Sequence, residues 1–306
     1  MEIVRERMRI RASYATDGLI SRKRAGVVLA ALLVVGGPRV SLGAEHSEEA
    51  RRRYPEPDKL RTEDAEPVEA GWFEVEIQYG YRFTKGEFNE SGERVSKPRS
   101  YRNAVELEAA AGVTNDLELR VGGGWENVRG EGEEPDKTEN VGDVEVGAKW
   151  RFLTADDEKL EVAYVPGLSV PLGKHEEDRE LNPLRDEWNV SQRLVVTRHW
   201  NRDFTTNLEG GFAVPFTGDR KRLRGIGIVN LAFGYRMTPW LQPEFEVNYR
   251  HDLYASEVDT NVLAITGGFL VQVVDALRVD VGFFHDVAGR ETERETAILT
   301  RLVFEF

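Results

Sequence analysis

Five histidines (His46, His175, His199, His251 and His285) and no cysteine bound the chemistry open to this chain of 306 residues. Without thiols there is no disulfide, no thiolate nucleophile and no cysteine-based metal site. Two histidines precede an aspartate, His251-Asp252 and His285-Asp286. A hydrolase built on strands would keep its base and its orienting group in such pairs. No serine or asparagine stands at a suitable spacing beside either, so the expectation is no catalytic residue, no metal site and no cofactor. Gly122-Gly-Gly124 falls inside an alternating stretch with no helix after it, so it is not a phosphate cradle. No basic stripe points to nucleic acid.

The more abundant chemistry is ionic and spaced by two. Glu106, Glu108, Glu118, Arg120, Asp143, Glu145, Lys149 and Arg151 alternate with apolar residues, as do Arg193, Glu209, Arg236, Glu244, Glu246, Arg250, Arg278, Asp280 and Arg301. Glu126 and Glu161 belong to the same series. Alternating strand residues point to opposite faces, so these charges share one face. The other face carries Leu119, Val121, Trp125, Val146, Trp150, Phe152, Leu208, Phe212, Leu231, Phe245 and Tyr249.

Twelve stretches of this kind follow one another: 72–83, 101–113, 117–127, 141–153, 159–171, 188–199, 203–216, 225–237, 240–251, 260–272, 276–287 and 295–306. Each is about the 9–11 residues, plus ends, that a tilted strand needs to cross a bilayer. Lipid offers no hydrogen bonds, so spanning strands must close on themselves with apolar side chains outside. The fold expected is therefore all-β, a closed antiparallel transmembrane β-barrel of about twelve strands. Tight turns at 113–116, 199–203, 237–240 and 273–277 alternate with longer polar segments at 84–99, 128–140, 172–187, 217–224, 252–259 and 288–294. Sorted loops of this sort mark outer-membrane barrels, the short side being periplasmic. Pro166-Gly167 interrupts the fifth stretch and predicts a bulge or kink.

Three segments divide the chain. Residues 1–44 place Arg22-Lys-Arg24 before the apolar run 25–35 and end in small residues, Ser41-Leu-Gly-Ala44. That order is a signal peptide, cleaved after Gly43 or Ala44. Eight bases and three acids fall in it, so the remaining chain holds −18 of a total of −13. Residues 45–70 are dense in charge and proline and are expected to form a disordered periplasmic arm. Residues 71–306 form the barrel.

The chain ends on Phe304-Glu-Phe306, which resembles the terminal signature of Gram-negative outer-membrane barrels. The resemblance implies that Phe304 and Phe306 are read by the barrel-assembly machinery. Two internal segments resemble a narrower group. Val141-Gly-Asp-Val-Glu-Val-Gly-Ala-Lys-Trp-Arg-Phe152 is similar to a strand of the MetA-pathway phenol-degradation family of outer-membrane proteins. The stretch 230–249, a strand, a proline-containing turn and a glutamate-bearing return strand, is similar to that family's late hairpin. The family's name implies transport of aromatic compounds. The expected function is an outer-membrane channel for small solutes, lined by the charges above, with lipid and lipopolysaccharide as surroundings and both termini periplasmic. The competing readings are a structural or recognition barrel plugged by its interior ion pairs and acting through its loops, and a barrel hydrolase using His251 or His285.

Overall fold

In a computed structural model, the described residues are 58–130, 137–156, 159–172, 188–216, 223–255 and 258–306. The signal peptide and the first part of the arm lie outside them. Twelve strands run in chain order: β1 Phe73–Phe88, β2 Arg94–Thr114, β3 Leu117–Gly130, β4 Lys137–Ala155, β5 Leu160–Val170, β6 Asn189–His199, β7 Phe204–Pro215, β8 Leu223–Tyr235, β9 Leu241–Tyr254, β10 Thr260–Val274, β11 Leu277–Arg290 and β12 Thr292–Glu305. Each pairs antiparallel with its sequence neighbour, and β1 pairs with β12 to close the barrel. Closure reaches the final residue. Phe73 N–H donates to the Phe306 carbonyl (3.1 Å) and Phe306 N–H donates to the Phe73 carbonyl (2.9 Å).

Period-two alternation decides which face is which. On β12, Ala297, Leu299, Arg301 and Val303 are buried, while Ile298 faces out. The exposed series is apolar all round the barrel (Val121, Trp150, Leu208, Phe212, Phe245, Phe269, Phe283), as a lipid-facing surface must be. Aromatic pairs Trp150–Phe152 and Trp188–Phe216 lie toward the strand ends, and Tyr81–Tyr101 lies where β1 and β2 run on past the apolar span, as girdles do.

Three expectations change. The loop expected at 84–99 is almost all strand, with 89–93 as its turn, and the loop expected at 288–294 shrinks to Glu291 in left-handed conformation (φ 49°). The seam strands therefore run past the bilayer thickness, β2 reaching 21 residues. Pro166 carries no bulge of its own: the β5–β6 register passes through Pro166↔Gln192 unbroken. On its other side the β4–β5 pairing skips Ala148 and Lys149, and the register shift falls between Arg151 and Leu153. A missing N–H removes a rung without adding a residue. Thirdly, residues 58–70 are not a loose arm. Lys59, Leu60, Thr62, Asp64 and Ala65 are buried inside the barrel.

Candidate functional site

An irregular chain inside a barrel needs partners for its backbone N–H groups, because no ladder supplies them. Here the wall carboxylates and one hydroxyl do so. Arg61 and Thr62 N–H donate to Glu246 (2.9 and 3.0 Å), Glu63 N–H to Glu209 (3.1 Å), Ala65 N–H to the Thr197 hydroxyl (2.9 Å) and Val68 N–H to Glu118 (2.9 Å). The arm enters beside β2, where Ala70 bridges to Gly112. Any side chain at Gly112 would strike the Glu69 carbonyl, a Cβ falling 1.9 Å from it. From there the arm crosses past β3, β6, β7 and β9 to β11 and β12.

Its own charges are answered by the wall. Glu63 meets Arg120 (3.0 Å), Lys149 (3.0 Å) and Arg193 (3.1 Å). Asp64 meets Lys149 at 3.3 Å. Asp58 is gripped by Arg278 and by Arg301, the latter at 2.9 Å, while both arginines also hold Asp280. Lys59 lies 3.8 Å from Glu244. Burial pushes the Glu63 carboxyl up, but Arg120, Lys149 and Arg193 outweigh it and hold it well below its ordinary range. For Asp64 burial wins over Lys149 and the group rises to about 7.

Shape completes the fit. Leu60 sits over Gly268 and Gly282, paired across β10 and β11. A Cβ on Gly282 would meet Leu60 at 3.0 Å, so the two glycines form the floor of its niche. The Arg61 guanidinium lies 4.0 Å from the centroid of the Phe284 ring. Ala65 packs with Ala163, Val165 and Val195 of β5 and β6.

Beside the arm a cavity of about 1150 Å³ remains. It reaches from Trp72 and Asn115 at the turn end to Glu126, Asp143 and Asn189 further along, mainly on the side of β1 to β6. Of the charges expected to line the lumen, Glu106, Glu108, Glu118, Arg120, Asp143, Glu145, Lys149, Arg151, Arg193, Arg278 and Arg301 border it. Glu209, Glu244, Glu246 and Asp280 also face inwards but are covered, bound to the arm or to the arginines that hold it. Arg250 pairs with Asp252 at 2.7 Å near the far end of β9, and Arg236 lies just past the end of β8. Glu74 and Glu76, which the alternation of the first stretch sets opposite its apolar residues, also border the cavity although they were not among the expected lumen charges. Alternation did not single out Thr197 or any arm residue. The available signal was Glu209 on β7 with Glu244 and Glu246 on β9, interior acids with few bases beside them.

The histidine pairs do not assemble. In each, the histidine turns outward and its aspartate inward, because adjacent strand residues face opposite ways. His285 Nδ1 engages the Thr296 hydroxyl at 2.8 Å, and His251 approaches Asp259 at 3.9 Å.

A closed twelve-stranded antiparallel wall, apolar outside and ionic within, defines an outer-membrane β-barrel. The family model "MetA-pathway of phenol degradation" matches residues 106–302, more than half of the sequence, and the chain belongs to that family. Its fold is similar to the crystal structure of an outer membrane channel from Pseudomonas putida F1, with a TM-score of 0.68 and 16% identity over 81% of this chain and 100% of that one. It is also similar to the beta domain of the Bordetella autotransporter BrkA, with a TM-score of 0.51 and 11% identity over 77% of this chain and 100% of that one. Likeness at these identities speaks to the fold. A search of curated proteins finds no match.

Proposed function

We propose that this chain is an outer-membrane channel for small solutes, with the turn end and both termini in the periplasm. The observation that carries the reading is the continuous cavity of about 1150 Å³ between the docked arm and the side of β1 to β6. A twelve-stranded barrel is wider than side chains alone can fill, yet narrower than a sixteen-stranded porin. The arm takes up part of that width, so only small solutes fit beside it. Family membership supports aromatic compounds as the solute class, and the apolar surface exposed on undocking Leu60 and Ala65 from the wall suits them.

A second reading rests on the arm's docking: a barrel closed by its own chain, acting through its surface. Single-channel recording decides between them. The full chain should conduct in small steps, and a chain lacking 58–68 in larger ones. Absence of conductance in both would remove the channel reading.

A further inference from the structure

The end of the barrel remote from the turns carries a feature that conduction leaves unused. Thr84 of β1 pairs with Glu295 of β12 on one side and Ser100 of β2 on the other. All three line a small interior pocket together with Arg82, Arg102 and Glu293, so this row faces inwards. Strand alternation turns the adjoining Arg294 to the outside, Lys85 lies on the side of the outward Phe83 ring, and Arg99 is exposed on β2. They stand on three adjacent strands, just where both registers shift. The Lys85 ammonium lies 5.1 Å from the centroid of the Phe83 ring, folded down against the outer wall. Next along the wall come Tyr81, Phe83 and Tyr101, with ring centroids 6.5 and 6.3 Å apart.

Three cations side by side on neighbouring strands repel one another. Among the described residues none of the three forms an ion pair with an acid. Glu295 turns inside to Arg82 (3.7 Å), and Glu87 is held by Lys97. Such a row directly beyond an aromatic girdle lies at headgroup level, where lipid phosphates are found. Guanidinium groups match phosphate oxygens in a fork, and the lysine adds a point charge.

We propose that Arg294, Lys85 and Arg99 form an exterior docking site for a phosphate of lipid A, the anchor of lipopolysaccharide. The choice of an outer-leaflet lipid rests on the reading that the turn end is periplasmic. The docked phosphate neutralises the row and ties the extended ends of β12, β1 and β2 to the membrane surface.

Native mass spectrometry of the refolded full chain tests this with three probes: bisphosphorylated lipid A, dephosphorylated lipid A and phosphatidylglycerol. The phosphorylated form should bind at least tenfold more tightly than the dephosphorylated one. Lys85→Gln with Arg294→Gln should erase that difference, while Lys85→Arg with Arg294→Lys should keep most of it. The single change Arg99→Gln gives a milder loss on a chain with one altered side chain. Heat-dependent gel mobility reports which variants are folded, and single-channel conductance should not change, since the row lies outside the lumen. Equal binding of the two lipid A forms, or an unaffected double Gln variant, would overturn the proposal. Preference for phosphatidylglycerol over lipid A would overturn the lipid A assignment and, with it, the orientation of the barrel.

Discussion

Glu246 holds Thr62 by two bonds at once: its carboxylate accepts the Thr62 N–H at 3.0 Å and the Thr62 hydroxyl at 2.7 Å. The other carboxylate oxygen takes the Arg61 N–H at 2.9 Å. One wall acid on β9 thus organises two successive residues of a chain segment 184 positions away. Interior acids in this barrel are backbone acceptors as much as pore charges.

Glu246→Ala should therefore loosen the arm. A hydrogen bond to a charged group is worth about 1.5–3 kcal/mol. Loss of even one shifts the docked-to-free ratio by roughly 10- to 100-fold. The measurements are protease cutting within 58–68 of the refolded protein and single-channel conductance, and both should rise. An arm equally protected in the variant would show that Glu246 does not hold it.

Gly282→Ala should displace Leu60 while leaving the barrel intact, because the three atoms nearest the added Cβ all belong to the flexible Leu60 side chain (3.0 to 3.5 Å). Combining it with Leu60→Ala should restore protection of the arm. Gly268→Ala differs: its Cβ would fall 2.2 Å from the Val281 carbonyl, so the wall itself must shift. Thermal unfolding should fall for Gly268→Ala alone. Additive effects in the Gly282–Leu60 pair would break the proposed niche.

Acid should release the arm. Docking depresses the Glu63 carboxyl below its ordinary value of 4.5. Its contribution is thus fully present above 4.5 and is lost as pH falls through the docked value. Asp58, also lowered when docked, acts in the same direction. Asp64 has the opposite sign. Its docked value of about 7 lies above the ordinary 3.8, so its ionisation weakens docking as pH rises from about 4 to 7. Protease protection of the arm should fall below pH 4.5, and Asp64→Asn should tighten docking at pH 8 while changing little at pH 3.5.

Phe306 should matter for assembly more than for stability. Its backbone closes the barrel against Phe73, which any residue but proline can do, while the residue itself is 65% exposed. Phe306→Asp should lower the amount of barrel in the outer membrane several-fold yet leave refolding in detergent, read by heat-dependent gel mobility, nearly unchanged. Normal membrane levels would remove the assembly role inferred for Phe304 and Phe306.

The sequence by itself determined the strands, their number and their faces. Lipid leaves no alternative to period two: Leu119 and Val121 must face out if Glu118 and Arg120 face in, and each strand carries that information within its own residues. The strand ends were less legible. Residues 84–88 and 94–99 lie past the apolar span, where lipid no longer imposes alternation, and pairing across the β1–β2 hairpin decides. Tertiary structure alone decided the arm. Residues 58–70 read as solvated because their composition matches a disordered segment, and nothing local marks Asp58 or Glu63 for burial. What admits them is a lumen already stocked with their complements: Arg278 and Arg301 for Asp58, and Arg120, Lys149 and Arg193 for Glu63. A charged segment stays in water unless buried partners offset its desolvation. Those partners come from strands far apart in sequence, and only closure of the barrel brings them together.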